Sequence, residues 1–201
     1  MRILVIGGTG TIGSAVVAAL KPRHDVIVVG QKNGTHQVDL ASPDSIAKLF
    51  HTVGRFDALV STAGRAAFAG LEQLTDADFQ LSLSNKLMGQ VNLVRQGLAL
   101  ANESASFTLT SGVLSREPMK GSAAISLVNA GLEGFARAAA LELPRRMRIN
   151  VVSPPWVTET LIARKMDPSI GLPAATVAQS YVASIEGTMT GQTLDPRTLP
   201  R

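Results

Sequence analysis

Short apolar runs alternate along the chain with longer stretches in which apolar residues recur every three or four positions. The runs occupy residues 3–6, 26–29, 58–60, 107–110 and 149–152, and weaker ones lie around 37–38 and 192–194. Runs of this length without polar alternation are typical of strands that are buried on both faces. Because strands and helices alternate, the pattern predicts an α/β fold with a doubly wound parallel sheet.

The helices that connect these strands are predicted over residues 11–20, 43–51, 75–100, 122–143 and 176–185. Ser42 followed by Pro43 is an N-cap with proline at the first helical position, and Thr75 is a second N-cap. Pro144 ends the helix that begins near residue 122. Since no linker, repeat or low-complexity tract interrupts the pattern, residues 1–201 are predicted to form a single domain.

The composition of the chain excludes several classes of protein and of chemistry. Apolar residues make up 45% of the chain and cysteine is absent, so disorder, disulfides and thiolate chemistry are excluded. Charged residues are only 17%, so the net charge of +4 reflects few acids rather than a basic surface for nucleic acid. We expect a cytoplasmic protein without a membrane span. No metal site is expected either, because His24, His36 and His51 lie far apart.

A glycine-rich turn between the first strand and the first helix is the clearest candidate binding site. Gly7, Gly10 and Gly13 have the spacing that permits a tight turn and close approach of backbone amides to a pyrophosphate. The N-terminus of the following helix adds free N–H groups and a positive dipole. We therefore predict that a dinucleotide phosphate binds here, with Thr9, Thr11 and Ile12 contributing. The alternative is a plain strand-to-helix turn.

The end of the second strand predicts which dinucleotide binds. An acidic residue at this position binds the ribose hydroxyls of NAD, whereas a basic one accommodates the 2′-phosphate of NADP. Gln31 and Lys32 stand here and no acid occurs between residues 26 and 37, so NADP is favoured over NAD. The alternative is that Lys32 is a solvated turn residue. Asp39 and Leu40 follow the third strand, where the carboxylate can reach the adenine amino group.

Five landmarks in order make the chain resemble the short-chain dehydrogenase/reductase family over nearly its whole length. They are the glycine turn, Asp39, the segment 61–64 with Ser61, Ala63 and Gly64, the strand end at Thr110 and Ser111, and the segment 150–154. The resemblance implies an NAD(P)-binding Rossmann fold of about seven strands. It also implies that the nicotinamide lies over the carboxyl ends of the strands, and that the chain is about fifty residues shorter than usual.

The active site that the resemblance implies is altered in this chain. Family members use a serine, matched by Ser111, and a Tyr-x-x-x-Lys motif whose positions hold Ile125 and Asn129 here. Lys86 stands where the family has an asparagine. We hypothesise that Lys86 replaces the missing lysine and, with Ser111, polarises a substrate carbonyl or donates its proton. The alternative is that Lys86 binds ribose or a helix carbonyl. The remaining tyrosine, Tyr181, is predicted to be a packing residue.

The resemblance also assigns a second set of cofactor contacts. Asn129 lies beside the ribose, and the loop with Pro154, Val157 and Thr158 covers the nicotinamide, although Pro155 replaces the usual glycine. Family members pair through the helices near residues 80–100 and 122–143, which implies a homodimer or homotetramer.

Two functions follow from these residues. One is an NADP(H)-dependent oxidoreductase with a rearranged site that acts on a small carbonyl or alcohol. The other is a sensor or scaffold that binds NADP(H) without turnover.

Overall fold

The computed structural model describes residues 1–198 and contains one parallel sheet of seven strands. The strands are β1 (Arg2–Ile6), β2 (Asp25–Gly30), β3 (His36–Gln37), β4 (Phe56–Ser61), β5 (Ala101–Thr110), β6 (Arg148–Val152) and β7 (Thr193–Leu194). Their order in the sheet is β3-β2-β1-β4-β5-β6-β7. The order turns back at β1 and β4, so the predicted doubly wound sheet is confirmed. A crevice between such strands, at their carboxyl ends, is where ligands bind.

Helices cover both faces of the sheet. They are α1 (Thr11–Leu20), α2 (Pro43–Val53), α3 (Asp76–Ser82), α4 (Gly89–Gly97), α5 (Ala123–Ala139), α6 (Thr158–Ala163) and α7 (Ala174–Glu186). A π-helical turn (Leu83–Met88) joins α3 to α4. Within residues 1–198 no helix is both long and apolar enough to cross a membrane.

The core has two layers because successive side chains of a strand point to opposite faces of the sheet. On β1, Leu4 and Ile6 pack with residues of α2, α4 and α5, whereas Ile3 and Val5 pack with residues of α1 and α7. All four side chains are fully buried. The continuous apolar runs of the sequence therefore mark strands that are covered on both faces.

The structure differs from the predicted elements in three helical regions. The helix predicted over 75–100 is divided by the π turn and ends at Gly97. The helix predicted to reach residue 143 ends at Ala139, since the residues before Pro144 cannot easily keep helical geometry. The short helix α6 lies in the loop after β6, where the sequence pattern predicts none.

Candidate functional site

The glycine turn has the geometry that its spacing predicts. Gly7 has a φ of +82°, a conformation that residues with a Cβ rarely adopt. A Cβ on Gly13 would lie 2.0 Å from the carbonyl oxygen of Gly7, so the first turn of α1 packs directly on the loop. A Cβ on Gly10 would meet only that same oxygen, at 3.3 Å. The turn therefore has no room for a side chain at Gly13, whereas the space beside Gly10 is open.

The open side carries the N-terminus of α1. Gly10 is the N-cap residue, and no side chain within residues 1–198 caps it. Thr9 and Thr11 are exposed and Ile12 is half-buried. The first amides of a helix have no acceptor inside the helix. This arrangement fits a pyrophosphate, which would bind to the N–H groups of the first turn.

A cleft opens beside the glycine turn, at the carboxyl ends of β1, β2 and β4. Five of the residues predicted to bind the cofactor line it: Gly7, Gln31, Leu40, Ala63 and Gly64. The other lining residues are Ile6, Gly30, Val38, Arg65 and Asn85. Since the ends of β2 and β3 are where an adenosine binds in this kind of sheet, we name this space the adenosine cleft.

Lys32, Asp39 and Ser61 are among the residues that were predicted to bind the cofactor but do not line the adenosine cleft. Lys32 lies in an exposed turn, where its carbonyl oxygen accepts a hydrogen bond from Gln37 Nε2 at 2.8 Å. Asp39 turns one carboxylate oxygen back to the amide of Ala41, at 3.0 Å. Ser61 is fully buried at the end of β4. The cleft wall on this side is formed instead by Gln31 and Leu40.

Lys86 lies in the π turn and reaches the end of β5. Its Nζ donates a hydrogen bond to the main-chain oxygen of Ser111 at 3.1 Å. The stem of Lys86 packs on Gly64, where a Cβ would come within 2.9 Å of Lys86 Cγ. Burial lowers the pKa of Lys86 to about 8, because the charged form loses hydration. The neighbouring Asn85 turns away and accepts a hydrogen bond from the Arg65 amide at 2.8 Å.

The hydroxyl of Ser111 points to α5 and not to the cleft. Ser111 Oγ donates a hydrogen bond to Glu133 Oε1 at 2.9 Å, and Ser115 Oγ donates to the same oxygen at 2.7 Å. Ser111 and Glu133 are both buried. The proton of Ser111 is thus held by a carboxylate, while its main-chain oxygen holds Lys86.

The two replaced positions of the Tyr-x-x-x-Lys motif lie one turn apart on α5. Ile125 is half-buried and supplies only carbon atoms. Asn129 is buried, and its Nδ2 donates to the carbonyl oxygen of Gly112 at 3.3 Å. Its Oδ1 is buried without a hydrogen-bond partner among the described residues. A buried carbonyl oxygen of this kind can accept a hydrogen bond from a ligand hydroxyl.

The loop after β6 lies beside the same edge of the sheet. Pro154 is buried, and its carbonyl oxygen accepts from the amide of Val113 at 3.1 Å. Val157 is buried and precedes α6, of which Thr158 is the first residue. The Thr158 amide donates to Leu172 at 3.1 Å. The amide of Thr158 is therefore already paired and does not meet a ligand.

Tyr181 is a core residue, as predicted. It is fully buried on α7, and its hydroxyl shares a hydrogen bond of 2.7 Å with Thr110 Oγ1. Burial raises the pKa of Tyr181, so the phenol stays protonated.

Two residues near the site were not predicted from the sequence. Arg65 follows Gly64 at the carboxyl end of β4, and a cation at a strand end of a parallel sheet is a signal that could have marked it. Glu133 lies one turn beyond Asn129 on the same face of α5, where an acidic residue interrupts an apolar stripe. Neither belongs to the motifs that carry the resemblance.

Comparison with known proteins agrees with the fold described above. Residues 15–186 match a family model described as enoyl-(acyl carrier protein) reductase. A short-chain dehydrogenase/reductase of Stachybotrys chlorohalonatus is 30% identical to this chain, in an alignment that covers 78% of this chain and 74% of that protein. The 3-oxoacyl-[acyl-carrier-protein] reductase MabA of Mycobacterium bovis is 26% identical over 84% of this chain and 73% of its own length.

Solved structures match over almost the full length. The protein lin1944 from Listeria innocua superimposes with a TM-score of 0.93 at 38% identity, covering 97% of this chain and 98% of that one. A small-chain dehydrogenase in complex with NADPH superimposes with a TM-score of 0.85 at 25% identity, covering 97% and 95%. The short length is thus shared by another folded protein. The family model and these relatives place the chain in the short-chain dehydrogenase/reductase family.

Proposed function

We propose that the chain is an NADP(H)-dependent oxidoreductase that acts on a small carbonyl or alcohol through Lys86. The observation that carries the proposal is the position of the lysine: its stem packs on Gly64 of the adenosine cleft, and its Nζ lies 3.1 Å from Ser111 O at the end of β5. A lysine with a pKa near 8 can give and take a proton near neutral pH.

The proposed binding mode uses the residues that meet at the glycine turn and the cleft. The first turn of α1 would hold the pyrophosphate, and Gln31, Leu40, Ala63 and Gly64 would surround the adenosine. Asn129 Oδ1, Pro154, Val157 and Thr158 would face the nicotinamide half. The bound cofactor supplies or accepts the hydride. A preference for NADP(H) is supported by the lack of any acidic residue in the wall of the cleft, and by the NADPH complex of the neighbouring small-chain dehydrogenase.

The proposed role of the protein in the reaction is proton transfer. In the direction of reduction, Lys86 Nζ donates a proton to the substrate oxygen as that oxygen gains negative charge. Ser111 O keeps Nζ in position, and Ser111 Oγ donates its hydrogen bond to Glu133 Oε1, so that this hydroxyl offers a substrate a lone pair and not a hydrogen-bond donor. Lys86 therefore replaces the tyrosine as proton donor, and Ser111 is a positioning residue.

Titration with reduced cofactors tests the proposal. Trp156 is the only tryptophan, and its emission overlaps the absorption of dihydronicotinamide, so binding is expected to quench it. We expect saturable quenching by NADPH at a concentration about tenfold or more below that for NADH. NADPH consumption is then measured with aldehydes, ketones and quinones. Failure of both cofactors to quench Trp156 or to raise the melting temperature would contradict cofactor binding.

A second candidate function is an NADP(H) sensor without turnover. It is favoured by a specific observation: the polar groups of Lys86, Ser111 and Glu133 all bond to one another or to the main chain. Saturable NADPH binding without consumption of NADPH by any substrate of the panel would support the sensor and contradict the oxidoreductase.

We also propose that the chain is a homodimer or homotetramer. Met88 on the π turn and Leu127 on α5 are 40% and 50% exposed, on the helices through which family members are expected to pair. Packing against a second copy of the chain would remove these apolar side chains from water. Light scattering is expected to give two or four times the chain mass of 21.1 kDa. A particle of 21.1 kDa at micromolar concentration would contradict this assembly.

A further inference from the structure

One cationic residue, Arg65, lines the adenosine cleft. Among the ten residues that line it, Arg65 is the single ionisable one. Gln31, which follows β2, is neutral, and so are the glycines that line the cleft. An arginine in a cleft without acidic residues produces a positive potential there, which attracts an anion.

The backbone of Arg65 is held firmly while its guanidinium stays available. The amide of Arg65 donates to Asn85 Oδ1 at 2.8 Å, and Asn85 is 4% exposed. The preceding Gly64, with a φ of +146°, is pressed against Lys86. The Arg65 side chain is exposed, and it takes part in none of the ion pairs within residues 1–198. Its charge is therefore free to meet a ligand.

The position of the cleft identifies which part of a dinucleotide this charge would meet. Thr9, Thr11 and Ile12, at the N-terminus of α1 where a pyrophosphate fits, lie outside the cleft wall. The cleft is bounded instead by Gln31 and Leu40, which follow β2 and β3. In dinucleotide-binding sheets the residue that recognises the ribose 2′ position follows the second strand, so the 2′ position of a dinucleotide bound here would lie near Gln31 and this cleft. The anion that a dinucleotide can carry at the 2′ position of its ribose is a phosphate ester.

Lys32, the residue first predicted to recognise this phosphate, does not line the cleft. Lys32 lies in an exposed turn, where its carbonyl oxygen accepts a hydrogen bond from Gln37 Nε2. Arginine also suits a phosphate better than lysine does, because the planar guanidinium can donate two parallel hydrogen bonds. Both the position and the chemistry favour Arg65.

We propose that Arg65 is the residue that selects a 2′-phosphorylated dinucleotide, by binding the 2′-phosphate across the cleft from Gln31. This inference rests on the proposed function and adds to it a specificity residue that comes from the end of β4 and not from the end of β2. It predicts that removal of the guanidinium changes the ratio of the two cofactor affinities and leaves binding of the shared part of the cofactor intact.

The test compares Arg65→Gln with Lys32→Gln, which removes an equal charge from an exposed residue nearby. NADPH and NADH are titrated against both variants and the natural chain by Trp156 quenching, and 2′,5′-ADP and 5′-AMP by calorimetry. For Arg65→Gln we expect about tenfold or greater loss of affinity for NADPH and 2′,5′-ADP, with NADH and 5′-AMP within about twofold. Lys32→Gln is expected to change each affinity by less than about threefold.

Three results would overturn the inference. They are an equal loss of NADPH and NADH affinity in Arg65→Gln, no loss of NADPH affinity in that variant, or a larger loss in Lys32→Gln. Failure of the natural chain to bind either cofactor would instead overturn the proposed function on which the inference rests. Unchanged melting temperatures of both variants show that the fold is intact.

Discussion

Lys86→Met is expected to lower carbonyl reduction by about 100-fold or more, because a positioned proton donor contributes that much to the rate. Methionine keeps a flexible unbranched stem, so the packing of this side chain on Gly64 is preserved. Affinity for NADPH is accordingly expected to stay within about threefold of the natural value. The measurements are steady-state NADPH consumption and Trp156 quenching on the same preparation.

Ser111→Ala is the matched control for this variant. Alanine retains the main-chain oxygen that accepts the Lys86 hydrogen bond and removes the hydroxyl that donates to Glu133. The expected loss of activity is about tenfold or less, since the proton donor stays in place. Equal losses in the two variants, or a Lys86→Met protein with more than a third of the natural activity, would rule out Lys86 as the proton donor.

The pH dependence provides a second measurement on the same residue. Reduction requires the protonated Nζ, so the rate is expected to fall as the pH rises through about 8, where Lys86 loses its proton. The unfolded chain holds this lysine near its usual pKa of 10.5, so it binds more protons than the folded chain between these two values. Stability is therefore expected to increase with pH over that interval, and this contribution should be missing in Lys86→Met. Urea unfolding of both proteins at pH 7.5 and pH 10 tests it.

Gly13→Ala is expected to destabilise the protein by about 3 kcal/mol and to abolish cofactor binding, because overpacking against rigid backbone is costly. The added Cβ would lie 2.0 Å from the carbonyl oxygen of Gly7, a distance that forces the glycine turn or α1 to move. Urea unfolding measures the loss of stability, and NADPH titration measures the loss of binding.

Gly10→Ala is the control that separates binding from folding. Its Cβ would have one close neighbour, the Gly7 oxygen at 3.3 Å, and otherwise open space. We expect the free energy of unfolding to change by less than about 1 kcal/mol, while NADPH binds about tenfold more weakly because the methyl group occupies the space for the pyrophosphate. Natural NADPH affinity in Gly10→Ala would contradict phosphate binding at this turn.

The sheet could be predicted from the sequence because its strands are buried on both faces and read as unbroken apolar runs. The exception is instructive: β5 begins at Ala101, whereas the apolar pattern begins only at Phe107. Residues 102–104 are polar and extend past the apolar core, so no periodicity marks them as a strand. Similarly, a π turn of six residues is too short to leave a period of its own, and residues 75–100 read as one helix.

The candidate site could be predicted in part, where a motif fixes the local backbone. The glycine turn follows from the spacing of its glycines, and Lys86 was singled out by the resemblance to the family. The partners of Ser111 and Arg65 do not, because Glu133 and Asn85 lie 22 and 20 residues away in the chain. Which hydroxyl donates to which carboxylate depends on how α5 packs on the sheet. A single sequence carries no signal for the distance between two such groups that are far apart in the chain.

The order of the strands has a consequence for synthesis of the protein. Four of the seven strands, β3-β2-β1-β4, come from the first 61 residues, and the wall of the adenosine cleft, apart from Asn85, is complete by residue 65. At ribosomal speeds the residues from the end of β4 to the end of β5 take on the order of a few seconds to appear. During that time β4 has no β5 beside it. Its unpaired apolar edge is then exposed to other nascent chains, which makes the half-made sheet the stage at which this protein is most prone to aggregate.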